Sequence, residues 1–259
     1  MLPVGATAAR ERRSRRTSWY VGNMPVEVCS YRLTHKGKPV GSHELKTFHR
    51  GRVTLLEGRA QFQGSLGNAT IVQRSRCGGR ERRSQRFREE TNERSGQRTF
   101  DVTFDATEGL VTASKGRDQA TSPYLLPYRD PLSLLLELRE LGDADHVVVP
   151  MLGKEVTVQR VGEVELDTAM GKRSALAYLL HPGGSVVYVD REPPHLLLKF
   201  TQRLIDGFVD AVLVKVDEES ELADFEATDG GGRSGRRGSG KRRRRSRRRR
   251  PRRGKRRDG

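Results

Sequence analysis

The sequence predicts a mainly β protein: a curved antiparallel sheet, or half-barrel, around one buried helix, with a disordered basic C-terminal tail. Three observations predict it. From about Trp19 to Val216 apolar residues recur with a period of two, in short runs broken by glycine-bearing turns. A single leucine-packed stretch, 130–142, carries helix punctuation at both ends. The last residues, Gly230–Gly259, hold 17 Lys and Arg against one acid, Asp258, and too little apolar area to offset the entropy of ordering.

Taken in order, residues 1–18 read as a flexible basic N-terminus, with Arg10, Arg12, Arg13, Arg15 and Arg16 against Glu11. The half-barrel domain follows over 19–216. Strand-like runs cover 26–35, 39–49, 52–63, 67–77 and 83–93. Thr99–Ala106 alternates most cleanly: Phe100, Val102, Phe104 and Ala106 point one way, Thr99, Asp101, Thr103 and Asp105 the other. That is the pattern of a half-buried antiparallel strand. After 109–115 comes the helix. Asp130 suits its N-cap, Pro131 its first position and Gly142 the position past its end. Leu132, Leu134, Leu135, Leu136, Leu138 and Leu141 fill most of the helical wheel, leaving Ser133, Glu137 and Glu140 on a narrow polar stripe. Such a helix is buried on most sides, and a sheet curved around it would supply the burial.

Further runs at 145–150, 154–161, 163–168, 173–180 and 185–190 lead to a closing hairpin. Leu196–Ile205 and Phe208–Val216 flank Asp206-Gly207, a pair suited to a type I′ turn. That register sets Phe200 against Leu213, Leu204 against Val209 and Arg203 against Asp210. One face then reads Leu196, Leu198, Phe200, Leu204, Val209, Ala211 and Leu213, which is core. An acidic linker, 217–229, carries seven acids and no base, and the disordered Arg-rich tail occupies 230–259.

Charge is segregated. The chain carries +17, of which the tail holds +16 and residues 1–18 hold +4, leaving 19–229 at −3. The basic balance therefore belongs to the ends. Arg outnumbers Lys about fourfold, a bias that a GC-rich genome produces as readily as selection, so Arg content alone says little. Cys29 and Cys77 cannot build a disulfide framework; they allow one bridge or two thiols in a reducing compartment. No apolar run reaches the ~18 residues that would span a bilayer. At the start, the arginines follow the apolar stretch, the reverse of a secretory signal, so the expected location is cytoplasmic.

The chemistry legible in the chain lies in the tail. Arg242, Arg243, Arg244 and Arg245, then Arg247, Arg248, Arg249 and Arg250, then Arg252 and Arg253, pack guanidinium forks that grip phosphate through paired N–H donors. The expected partner is nucleic acid or another polyanion, bound without sequence preference, since the tail has no aromatic side chain for stacking and nothing that reads bases. The plainer reading is a solubilising tail, and the acidic linker could compete for its charge. A second cluster, nine Arg against four Glu over 74–98, fits either a nucleic-acid face or an edge strand kept soluble by charge.

No catalytic set emerges, so the domain is expected to be non-enzymatic, without metal or cofactor. His43 and His49 share a strand face, but only His35 stands near enough in sequence to complete a metal site. Gly171-Lys172 lacks the rest of a phosphate loop, and Asp190 and Glu192 read as turn residues. Arg139 falls inside the leucine arc of the helix. Its stem packs while its head reaches solvent, or it is paired inside the sheet or lines a cavity.

Several of these stretches resemble a bacterial family of usually exported proteins of unknown function. They are Asp130–Arg139, Val161–Gly171, Val187–Asp190 with Pro194 and Leu196–Lys199, and Tyr31-Arg-Leu with Gly37 and Gly41. The likeness spans roughly 20–216. It implies an antiparallel half-barrel holding a helix, similar in shape to lipoprotein carriers of the bacterial envelope, whose concave apolar face holds acyl chains. Two departures stand out: no export signal is seen, and Tyr188 replaces the Trp usual there. The alternative function is thus a carrier of an apolar or acyl ligand, with the tail touching anionic membrane; an enzyme ranks third.

Overall fold

A computed structural model describes residues 25–79, 82–204 and 207–219. The expected basic N-terminus, residues 220–229 of the acidic linker and the whole Arg-rich tail, with all ten arginines named there, lie outside the described residues.

The described chain forms β1 (Val26–His35), β2 (Lys38–Arg50), β3 (Val53–Phe62), β4 (Ala69–Gly78), β5 (Arg83–Glu93), β6 (Gly96–Asp105), β7 (Leu110–Lys115) and β8 (Asp118–Pro123). Then come helix α1 (Pro131–Leu138), β9 (His146–Met151), β10 (Lys154–Thr168), β11 (Gly171–His181), β12 (Ser185–Asp190), β13 (Leu197–Leu204) and β14 (Gly207–Glu219). All fourteen strands belong to one antiparallel sheet in the order β8-β7-β6-β5-β4-β3-β2-β1-β14-β13-β12-β11-β10-β9. Two meanders therefore meet where β1 pairs with β14, and the sheet's two edges, β8 and β9, are consecutive in sequence.

The connection between the edges contains the eight-residue α1. Across fourteen flat strands at about 4.8 Å each it would have to span roughly 60 Å, which takes nearly its full extended reach and leaves it no slack to pack. Instead α1 packs on β3 and β4, and Arg139 just past its end bonds Glu27 of β1. The sheet curls around the connection, which crosses its concave side. The inner face carries the predicted alternation: Tyr31 and Leu33 on β1, Val102 and Phe104 on β6, and Leu198, Val209, Ala211 and Leu213 on the last hairpin are all buried.

Several expectations change. The hairpin register is slid by two residues: Phe200 faces Ala211, Leu204 faces Gly207, and Asp210 faces Thr201 rather than Arg203. Lys199 takes the charge pairing with Asp210, at 3.2 Å. A two-residue slide keeps every side chain on its face, so alternation alone could not distinguish the registers. The last strand runs to Glu219, three residues into the predicted acidic linker, because Glu219 pairs with Val26 across the seam and takes Lys46 at 2.7 Å. β8 went unread because all six of its residues are exposed and none alternates. β10 is continuous where the sequence suggested two strands. A bulge between Arg160 and Gly162, with Gly162 at φ +154°, switches the parity and breaks the apparent period.

The helix ends at Leu138, with Gly142 (φ +55°) further along the following turn. Ser133 is not on a solvated stripe but fully buried. The described arginines of 74–98 lie on no edge strand, since β4, β5 and β6 all have neighbours on both sides. Many are in ion pairs instead: Arg74 with Glu57 at 2.8 Å, Arg86 with Asp101 at 3.1 Å and Arg88 with Glu90 at 2.8 Å. No helix among the described residues is long and apolar enough to cross a membrane.

Candidate functional site

Helix α1 is fastened at both ends to the concave face. At its start, Asp130 Oδ1 accepts the backbone N–H of Leu132 (2.9 Å) and of Ser133 (3.0 Å). Its Oδ2 accepts the hydroxyls of Ser75 on β4 (2.7 Å) and Ser84 on β5 (2.5 Å). The Asp130 N–H donates to Ser84 Oγ and Ser133 Oγ, completing a reciprocal capping box. Burial pushes the Asp130 carboxyl up from its ordinary value, and the hydroxyl and amide donors pull against it.

At the far end, Arg139 grips Glu27 of β1 with two bonds of 2.5 and 3.0 Å. It also donates to the carbonyls of Pro194 and His195, each at 3.0 Å. Burial alone would lower the Arg139 pKa; the Glu27 hydrogen bonds and charge outweigh it and hold the guanidinium charged. Arg139 is thus paired inside the sheet and does not line the cavity described next. Arg129, not singled out in the sequence, is buried as well and pairs with Glu137 at 2.5 Å.

Between α1 and the sheet lies a cavity of about 480 Å³. Its walls are mainly apolar, with Leu33, Ala60, Val187 and Val209 from the strands and Leu132 and Leu134 from the helix, and polar side chains such as His43, Gln73, Thr201 and Gln202 among them. Lys154 and Gln202 are exposed where they border it, and Gln73 donates to Glu89 at 2.7 Å on its β4–β5 side. Other clefts run along Gly41–Asn92, Gly64–Ser95 and His49–Glu140; they are wider open and lined largely by polar and turn residues.

His43 stands in the cavity wall, edge-on to Tyr31 (centroids 5.8 Å apart) and Phe200 (5.6 Å). Its Nε2 is buried and has no hydrogen-bond partner. Burial pushes its pKa down to about 4, so the imidazole is neutral at pH 7. The other two histidines of the sequence argument do not join it. His49 Nδ1 is hydrogen-bonded to Thr54 Oγ1 at 3.0 Å, and His35 Nδ1 to the Phe208 carbonyl at 2.9 Å. Among the described residues no three His, Cys, Asp or Glu side chains group as metal ligands. Cys29 and Cys77 are free, buried thiols, and burial pushes each up to about 12, so neither is a thiolate nucleophile. Asp190 and Glu192 hold a turn, with Arg173 between them at 3.7 and 2.7 Å.

Residues 30–214 match the family described as "Protein of unknown function (DUF3108)". The chain belongs to that family. The DUF3108 match spans both meanders and α1, so the cavity lies inside the family's shared region. The chain is also similar to a solved β-barrel-like protein of domain of unknown function DUF1849 from Brucella abortus, at 11% identity and a TM-score of 0.47. That likeness covers 75% of this chain and 97% of the other. No curated protein matches.

Missed in sequence were His43 as a cavity residue, the Gln73–Glu89 pair and the Ser75–Ser84–Asp130–Ser133 cluster. For Glu89 a signal existed. It shares parity with Phe87 and Thr91, which puts it on the concave face.

Proposed function

We propose that the folded body of this DUF3108 protein binds and carries a single apolar chain and catalyses no reaction. The cavity between α1 and the sheet supports this reading: at about 480 Å³ it falls in the size range of small-molecule sites, and its lining is mainly apolar. A buried methylene contributes about 0.8 kcal/mol, so a chain of about ten carbons gains roughly 8 kcal/mol before the costs of association. Native mass spectrometry of protein purified without detergent tests it. The expected result is a mass increment removed by solvent extraction, or acquired on adding decan-1-ol. A bare mass that takes up nothing contradicts it.

A second reading concerns the tail and is favoured by charge segregation, +16 on residues 230–259 against −3 on 19–229. In it, the ten arginines bind nucleic acid or another polyanion through phosphates, independent of sequence. With roughly eight phosphates engaged on duplex DNA, log affinity should fall with log salt at a slope of about −7. Deleting 230–259 is expected to abolish low-salt retention on immobilised RNA or DNA; equal retention of the truncated protein refutes it.

A further inference from the structure

We infer that the apolar ligand of the cavity ends in an amine, whose ammonium group the Glu89 carboxylate holds on the β4–β5 side. The inference rests on the cavity reading above and adds the chemistry of the ligand's polar end. Strand pairing lines up Leu45, Gly58, Gln73, Glu89 and Phe100 across β2 to β6, and alternation puts all five on the concave face. Gly58 lets α1 approach that row: a Cβ there would stand 3.1 Å from Leu132 Cδ2. On the next two strands Gln73 and Glu89 line the cavity, with Gln73 Nε2 donating to Glu89 Oε2 at 2.7 Å. Glu89 is half-buried. Its other oxygen, Oε1, takes no hydrogen bond or ion pair among the described residues and is not sealed off by protein.

A carboxylate only accepts, so the ligand's group must donate. The donor that gains most is one that also brings positive charge, since a charge-assisted hydrogen bond is about twice as strong as a neutral one. The described fold does not supply that charge. Arg88 and Glu90, on either side of Glu89 in sequence, alternate to the convex face, where Glu90 meets Arg88 at 2.8 Å and Arg74 at 3.9 Å. Arg98, one row along, is held by Glu93 at 2.5 Å. His43 is neutral at pH 7. Lys154, the cation of the cavity lining, is exposed, so its pull on an anionic ligand is weakened by water and salt. An anionic chain end on the β4–β5 side would meet Glu89 as a like charge.

The test titrates the full-length protein with decan-1-amine, decan-1-ol and decanoate at pH 7, in wild type, Glu89→Gln and Glu89→Asp. Wild type is expected to hold decan-1-amine most tightly of the three. Glu89→Gln is expected to weaken decan-1-amine about tenfold relative to decan-1-ol, the worth of a charge-assisted bond over a neutral one. Glu89→Asp keeps the charge on a shorter stem and is expected to keep part of the preference for the amine. The inference is overturned if Glu89→Gln weakens amine and alcohol equally, as a purely structural role would, or if Glu89→Asp loses the preference as fully as Glu89→Gln. It is overturned too if wild type holds decanoate or decan-1-ol as tightly as the amine. If wild type takes up none of the three, the cavity reading itself falls.

Discussion

An imidazole buried without a partner for Nε2 makes the fold sensitive to acid. His43 titrates at about 4 in the folded protein, below its ordinary 6.5. As pH falls, the unfolded chain takes the proton first, so stability is retained above about pH 6.5 and lost progressively down to about pH 4. The slope is at most about 1.4 kcal/mol per pH unit. Between pH 7 and 4.5, urea denaturation should show wild type losing roughly 2–3 kcal/mol more than His43→Leu. Equal losses would contradict a His43 pKa lowered by burial. The sequence placed His43 and His49 correctly on one face of β2. It could not show what surrounds them, because Tyr31 and Phe200 reach the ring from β1 and β13, strands brought together by the sheet order. For Arg139 the sequence put first a stem that packs and a head that reaches solvent, with pairing inside the sheet as the alternative; the pairing is what is found, and nothing local named Glu27.

At the scale of the element, α1 owes its position to its ends. Its eight residues are too few to hold a helix in water, and the clamp at Asp130 compensates. Asp130→Ala removes the cap and leaves the Ser75 and Ser84 hydroxyls buried without their acceptor. The expected cost is about 3 kcal/mol or more by urea denaturation. Asp130→Asn keeps one acceptor oxygen and an amide that the serine hydroxyls can turn to meet, so it should cost less. If the two cost the same, the capping role is misassigned. The N-terminal punctuation was readable from Asp130 and Pro131; the part Ser133 plays in the capping box was not, because Ser133 read as a member of the polar stripe. The strands were readable wherever one face is apolar, as in β6. β8 was invisible for the opposite reason: it has no buried face and forms by pairing its backbone with β7.

For the molecule as a whole, the consequence of the topology is a trough bridged by its own connection. β1 and β14 meet at the middle of the sheet, the edges β8 and β9 are joined through α1, and the space left beneath the helix is the cavity. Curvature around a helix followed from the sequence because those leucines required burial. Strand order did not, since alternation identifies a strand's faces and not its neighbours; the β1–β14 seam joins residues almost the whole domain apart. The central claim is that the space between α1 and the sheet takes up an apolar ligand. Ala60 lines it opposite His43 on the neighbouring strand, so Ala60→Phe should fill it from within. The most direct measurement titrates a polarity-sensitive apolar fluorophore against wild type and Ala60→Phe, with folding of both checked by urea denaturation. Saturable binding of one fluorophore per wild-type chain, lost in a folded Ala60→Phe, is the expected result. Binding that survives the substitution unchanged would contradict the account.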